Sequence, residues 1–247
     1  MNSSFGSEWR KWDFHVHTPY SVLNNQFGLN ANDSADFDSY VQTLFAKAIE
    51  KDIWAIGITD YFSIDGYKRI RNDYLDKPDK LAELFPDDEL RRRIEQILVF
   101  PNIEFRLDRF VDKGDKSKPI GYHVLFSDEV DCREIEDNFL HKLRCAPDHC
   151  QSWTLTHHNI EQLGDLVRSQ NGGKGDSYTL GLSNVSIDED DVLNALGECR
   201  TFDGRSLIAI PVDEALSKTD WNRSYFPKKA LYGQCHCYMT SNGNTRD

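Results

Sequence analysis

The run Ile53-Trp54-Ala55-Ile56-Gly57-Ile58-Thr59-Asp60 is nearly continuous in apolar residues and ends on a carboxylate. A strand reads this way when both of its faces are covered, as in sheets flanked by helices. Just before it, Val41, Leu44, Phe45, Ala48 and Ile49 recur at i, i+3, i+4, i+7 and i+8 within Asp36–Lys51, the stripe of an amphipathic helix. Trp12–His17 predicts a strand before that helix. Strand, helix and strand in this order predict βα units and a parallel sheet, open or closed into a barrel.

The alternation continues along the chain. A helix is expected over Asp87–Gln96, leading into strands Ile97–Phe100 and Asn102–Phe105. The charged stretch Asp112–Lys118 contains Gly114 and predicts an exposed hairpin tip. Tyr122–Phe126 predicts another strand. Helices are expected over Asp131–Leu143, Asn159–Ser169 (with Asn159 as cap) and Asp188–Leu196. Gly and Ser crowd Asn171–Asn184, which predicts a mobile loop. Leu207–Asp213 and Cys235–Thr240 predict the last strands. No internal repeat or linker composition divides the 247 residues, so a single domain is expected.

Polar side chains gather where these strands end: His15 and His17, Asp60, Glu104, His123 and Asp213. In α/β folds the carboxyl ends of the strands line the active site. His15 and His17 are two apart on a strand and share a face. Apolar neighbours flank Glu104 and His123, so each needs a partner if buried. Asp60 and Asp213 could equally begin polar loops. Arg106 shares the face of Glu104 and could hold an anion, or could pair with Asp108 or Asp128 instead. His157-His158 read as a surface turn, since adjacent strand residues face opposite ways. His141 and His149 read as structural.

Composition narrows the classes. Net charge is −12, so no overall field attracts a polyanion. Nucleic acid would have to be met by local patches, at Lys113/Lys116/Lys118 or Lys228-Lys229, or by another domain. Arg91-Arg92-Arg93 lies among Asp87, Asp88, Glu89 and Glu95 and reads as a solvated helix face. The six cysteines form no Cys-x-x-Cys pair and are expected to be free. Cys235-His236-Cys237 reads as strand. No run spans a membrane and no signal peptide is evident, which predicts a cytoplasmic protein.

Taken in order, Asp13-Phe14-His15-Val16-His17-Thr18, Ala55–Asp60, Asn102-Ile103-Glu104-Phe105 and Tyr122-His123-Val124-Leu125 resemble the PHP family, the polymerase-and-histidinol-phosphatase metal-dependent phosphoesterases. The resemblance covers nearly the whole chain. Gly6–Trp12, Thr59-Asp60-Tyr61-Phe62 and His123–Val130 look most like the TrlF-type members, in which the PHP domain precedes an ATPase. The resemblance implies a distorted (β/α)7 TIM-like barrel with divalent metals in a cup at the strand ends. It implies His15, His17, Glu104 and His123 as ligands, joined by Asp60 and Asp213. Mn or Zn is favoured, with Fe as a third choice, because imidazole and carboxylate together suit these ions better than Mg or Ca. Glu104, Arg106 and Asp60 are the residues expected to carry catalysis, with Asp13 orienting an imidazole.

Four departures stand against the pattern. Tyr61 occupies a position where the family usually has histidine. Leu23 and Asn24 stand where a third early ligand is common. Asp213 and Glu214 replace a His or Cys. No terminal Asp-x-His motif is found, so the chain is expected to be the N-terminal part of a longer, ATPase-containing protein. Three functions remain open: a nuclease, ATPase-coupled and serving defence against foreign DNA; a non-catalytic regulatory module with a degenerate site; and a small-molecule phosphatase. The reading also leaves room for a homo-oligomer.

Overall fold

The computed structural model describes residues 9–113, 116–145, 153–171, 175–211 and 231–240. The elements in chain order are β1 (Lys11–His17), α1 (Ser34–Glu50), β2 (Ile53–Tyr61), α2 (Asp65–Ile70), α3 (Pro78–Leu84), α4 (Asp88–Ile94), β3 (Leu98–Lys113), β4 (Lys116–Phe126), α5 (Cys132–Asn138), β5 (Arg144–Cys145), β6 (Trp153–Thr154), α6 (His157–Asn171), α7 (Ser177–Asn184), α8 (Glu189–Glu198), β7 (Ser206–Pro211) and β8 (Cys237–Met239).

Six strands form one mixed sheet in the order β1-β2-β3-β4-β7-β8. β1, β2 and β3 run parallel, β3 and β4 form an antiparallel hairpin, β4 pairs antiparallel with β7, and β7 runs parallel to β8. The sheet is curled into a half-barrel and does not close. This corrects the (β/α)7 barrel, and the physical reason lies in the hairpin. A barrel of βα units needs a helical crossover between every strand pair. The tight β3–β4 connection reverses the chain instead. The two strands expected at Ile97–Phe100 and Asn102–Phe105 are one strand, which runs through Pro101.

Alternation along each strand sorts the side chains into two layers. The helix-covered layer holds two apolar clusters. One joins α1 to Ile56, Ile58 and Val99 through Phe37, Val41, Leu44 and Phe45. The other joins Ile103, Phe105, Tyr122, Val124, Ile208 and Ile210 to the later helices through Phe139, Leu163, Leu182 and Val192. Helix starts are set by acidic caps: Asp33 accepts from the amides of Ala35 and Asp36, and Asp87 from those of Glu89 and Leu90. No helix among the described residues is long and apolar enough to cross a membrane.

Other expectations need adjustment. The loop expected over Asn171–Asn184 contains α7, whose cap Asp176 accepts from the Thr179 amide. The helix expected over Asp131–Leu143 ends at Asn138 and gives way to a 3-10 turn over Leu140–Lys142. Asn159 lies inside α6 rather than capping it, and its amide proton goes to Thr156 Oγ1. His157 and His158 occupy the first turn of that helix, not a free turn. Helices α2 and α3, joined by a π-helical turn over Arg71–Leu75, fill a stretch for which no element was expected. Arg91 pairs with Asp88, and Arg93 approaches Asp52. Asp213, Lys228, Lys229, His149 and the side chains of Lys113, Lys116 and Lys118 lie outside the described residues.

Candidate metal centre

The site forms on the concave face of the sheet. β1 enters it with a bulge: Asp13 pairs with Ile56 and Val16 with Ile58, so two residues, Phe14 and His15, stand opposite Gly57 alone. Asp13 and Val16 both turn to the α1 side, where they line one apolar groove. Phe14, His15 and His17 turn inward. The Phe14 carbonyl crosses over Gly57, where an added Cβ would overlap it. Absence of a side chain at Gly57 therefore admits the bulge. Asp13 supports it too, because its carboxylate accepts from the His15 amide at 3.3 Å. This residue holds the backbone of the ligand strand and orients no imidazole.

β3 brings Glu104 to the same place. Its Oε2 lies 3.1 Å from His15 Nε2 and 3.3 Å from His17 Nε2, and the two imidazole nitrogens are 3.1 Å apart. His15, His17 and Glu104 form a group that can hold a metal ion. Exposure grades across it, with His15 36% exposed, His17 9% and Glu104 14%, so the group opens toward His15. Burial pushes the Glu104 carboxyl up, but the imidazoles of His15 and His17 against it pull it far below the ordinary carboxylate range. Such a carboxylate stays ionised and calls for a positive partner.

His123 stands directly across from Glu104 in the β3–β4 ladder. Its ring lies 4.6 Å from that of His15, centroid to centroid. The imidazole is fully buried, and its Nε2 has no hydrogen-bond partner. Burial pushes its pKa down to about 3, against the pull of Glu104, so the ring is neutral. A buried bare nitrogen beside an ionised carboxylate is costly unless something fills it. The imidazole and carboxylate donors of His15, His17 and Glu104 can hold a divalent ion, and His123 is not part of that group.

Asp60 sits elsewhere. Gly57, Thr59 and Tyr61 face the site, so alternation sends Asp60 to the helix layer with Ile56 and Ile58. There it is 2% exposed, and both its oxygens are engaged. Oδ1 accepts from Thr18 Oγ1 at 2.7 Å and Ser21 Oγ at 2.8 Å, while Oδ2 accepts from the Gly66 amide at 2.8 Å. Burial raises its pKa to about 6 against these three donors. Asp60 reaches the site only through Ser21, whose Oγ is 3.0 Å from His17 Nδ1. Neither Ser21 nor Asn102, which contacts His123 Nδ1 at 3.2 Å, was apparent as a site residue in the sequence.

Tyr61 and Arg106 form one wall. The Tyr61 ring lies 5.0 Å from that of His17, and the Arg106 guanidinium lies 5.3 Å over Tyr61. Arg106 donates to the Leu182 carbonyl at 2.8 Å, a different tie from the Asp108 or Asp128 pair considered from sequence. Phe62 follows Tyr61 with φ 57, a left-handed conformation rare for a bulky residue, and its amide donates to the Glu104 carbonyl at 3.1 Å. That turn fixes the end of β2 against β3 beside the site. Burial, then Glu104, pushes the Tyr61 phenol up to about 12, so it keeps its proton.

The concave face becomes apolar away from the site. Trp12, Phe14, Leu98, Phe100, Leu125 and Leu207 lie at its other end, and Trp12, Leu98 and Leu207 are exposed there. Beside His15 a cleft of about 1160 Å³ runs between the two sheet edges, from Trp12 on β1 to Tyr238 and Met239 on β8. Asn24 lines it, and Leu23 packs into the larger core cluster instead. No family model, curated protein or solved structure matches the chain.

Proposed function

We propose that this chain is a metal-dependent phosphoesterase of the PHP type that hydrolyses phosphodiesters of nucleic acid. The observation that carries the reading is the convergence of His15 Nε2, His17 Nε2 and Glu104 Oε2 within 3.3 Å of one another. The resemblance of the ordered motifs to the PHP family gives the reaction class.

His15, His17 and Glu104 would hold the ion, with His123 Nε2 behind them as a further donor. A bound divalent ion supplies activation of water and stabilisation of charge on phosphoryl oxygens. Arg106 has four N–H groups besides the one spent on Leu182, and these can bind a phosphate oxygen. Tyr61, protonated up to about pH 12, donates to the same phosphate. It would bind substrate where the family more often has an imidazole. Asp213 lies outside the described residues, and its role as ligand stays part of the proposal. A nucleic-acid substrate also needs a positive surface that a chain of net charge −12 does not offer overall. The C-terminal ATPase implied by the family resemblance would be its source.

Elemental analysis of the purified chain beside a His15→Ala/His17→Ala variant tests the metal. Stoichiometric Mn, Zn or Fe lost in the variant is the expected result. Cleavage of single- and double-stranded DNA, RNA and p-nitrophenyl phosphate then tests the substrate. Hydrolysis of the monoester alone would move the reading to a small-molecule phosphatase. No uptake of Mn²⁺ or Zn²⁺ would move it to the regulatory module, which the tyrosine at position 61 already favours over the phosphatase.

A further inference from the structure

The hydrogen-bond partners behind His17 and the buried His123 have few protons to share. Ser21 has one hydroxyl proton and three neighbours: Asp60 Oδ1 at 2.8 Å, the Thr59 carbonyl at 3.2 Å and His17 Nδ1 at 3.0 Å. A carbonyl accepts only, and so does an ionised carboxylate. The Ser21 proton therefore goes to one of those two oxygens. Its remaining lone pair faces His17, so His17 Nδ1 must carry the hydrogen. Thr18 holds Asp60 in the same sense, donating to it at 2.7 Å while accepting the Tyr20 amide at 3.1 Å.

Asn102 repeats the logic on the other side. Its Nδ2 donates to the Phe14 carbonyl at 2.6 Å and to Thr59 Oγ1 at 2.9 Å. The Phe14 carbonyl can only accept, which fixes the amide orientation. Asn102 Oδ1 is left for His123 Nδ1 at 3.2 Å, and that nitrogen must donate. His123 Nε2 is then bare, in agreement with its lack of any partner.

We infer that Ser21 and Asn102 are the positioning residues of this site: each accepts the Nδ1 proton of one imidazole and so turns a bare Nε2 toward Glu104. Both frames are anchored in β2, at Asp60 and Thr59, and the second also at the bulged Phe14 carbonyl. They leave His17 Nε2 and the Glu104 carboxylate as acceptors 3.1 Å from His15 Nε2, which carries the proton between them until an ion replaces it, and they leave His123 Nε2 bare. A chain built this way keeps its donor atoms ready before any ion arrives. The inference rests on the metal-site reading only for its affinity arm. The tautomers belong to the metal-free protein.

The experiment is a long-range ¹H–¹⁵N correlation spectrum of the ¹⁵N-histidine-labelled chain in EDTA at pH 8, with resonances assigned through His17→Gln and His123→Gln. Both imidazoles are expected in the Nδ1–H form. An Nε2–H form at either residue in the unsubstituted chain overturns the inference, and that outcome needs no variant to fold. Ser21→Ala should release His17 to mixed tautomers and weaken Zn²⁺ binding roughly 10–100-fold, and Ser21→Thr should restore both. Asn102→Ala should do the same at His123, and Asn102→Asp, which still accepts, should keep the tautomer. Unchanged tautomers in both alanine variants, with native circular dichroism, also overturn the inference. If the unsubstituted chain shows both tautomers but takes up no Zn²⁺, the metal-site reading fails and the positioning role stands.

Discussion

His123 and Asp60 are both buried and both titrate abnormally, but in opposite senses. For His123 the folded pKa is depressed to about 3. Between that value and the ordinary imidazole range near 6.5 the unfolded chain binds the extra proton. Its contribution is thus complete above about pH 6.5 and is lost as pH falls toward 3. The slope reaches about 1.4 kcal/mol per pH unit. Urea unfolding in EDTA at pH 7, 6 and 5 should show that slope reduced by about this amount in His123→Gln, and equal slopes would refute the buried neutral ring. For Asp60 the folded pKa is raised to about 6. Its linkage contribution is complete below the ordinary value near 3.8 and is lost as pH rises through 6. Asp60→Asn would set an amide N–H against the Gly66 amide or the Thr18 and Ser21 hydroxyls, and should destabilise by roughly 1–3 kcal/mol in chemical denaturation. In the sequence, Glu104 and Arg106 were legible by alternation. Asp60 ends an apolar strand as a ligand would, but it alternates with Gly57, Thr59 and Tyr61 and so falls on the helix-covered face. Asn102 could have been found by the same count, two residues before Glu104. Ser21 could not, since it sits in a turn after His17 and no periodicity reports it.

Among the elements, α6 and α7 cross closely enough that their glycines are structural. A Cβ on Gly164 would overlap the Ser177 carbonyl, and one on Gly181 the Ile160 carbonyl. Gly164→Ala and Gly181→Ala should each cost about 1–3 kcal/mol or more, read from thermal melts. Gly197 in α8 is the control. Nothing lies within 4 Å of its added Cβ, and Gly197→Ala should stabilise by roughly 0.5–1 kcal/mol. A destabilised Gly197→Ala would mean that helix propensity does not govern α8. Strands and the long amphipathic helix were legible because their periods repeat over many residues. α7 was not, because Gly and Ser dominate the composition around it. Its start was nevertheless marked by Asp176, whose carboxylate caps the Thr179 amide. The single strand through Pro101 was hidden because proline reads as a break, yet the residue lies in an unbroken β2–β3 register.

At the scale of the molecule, two core clusters lie under one curled sheet, and the site straddles their boundary. His15 and His17 come from β1, an edge strand paired to β2 alone among the described residues, whereas Glu104 comes from the interior strand β3. An ion held by all three would tie the edge to the interior. At 100 times its dissociation constant such an ion should add about 2.7 kcal/mol. Amide exchange should slow most in β1, and a uniform change across the sheet would argue that the ion binds elsewhere. The layer order of α/β units was legible, but closure was not. Whether a strand is followed by a crossover or a hairpin depends on a few turn residues rather than on any repeated period, and here β3 is followed by its antiparallel partner β4. The bulge in β1 carries one more consequence. Asp13 and Val16 face outward on either side of it, so removing Phe14 would leave Trp12, His15 and His17 on the sides they already occupy. What would vanish is the carbonyl that anchors Asn102 and Thr59. Counted in codons, the ligand pair needs only a plain strand, and the device that holds it ready is a single insertion.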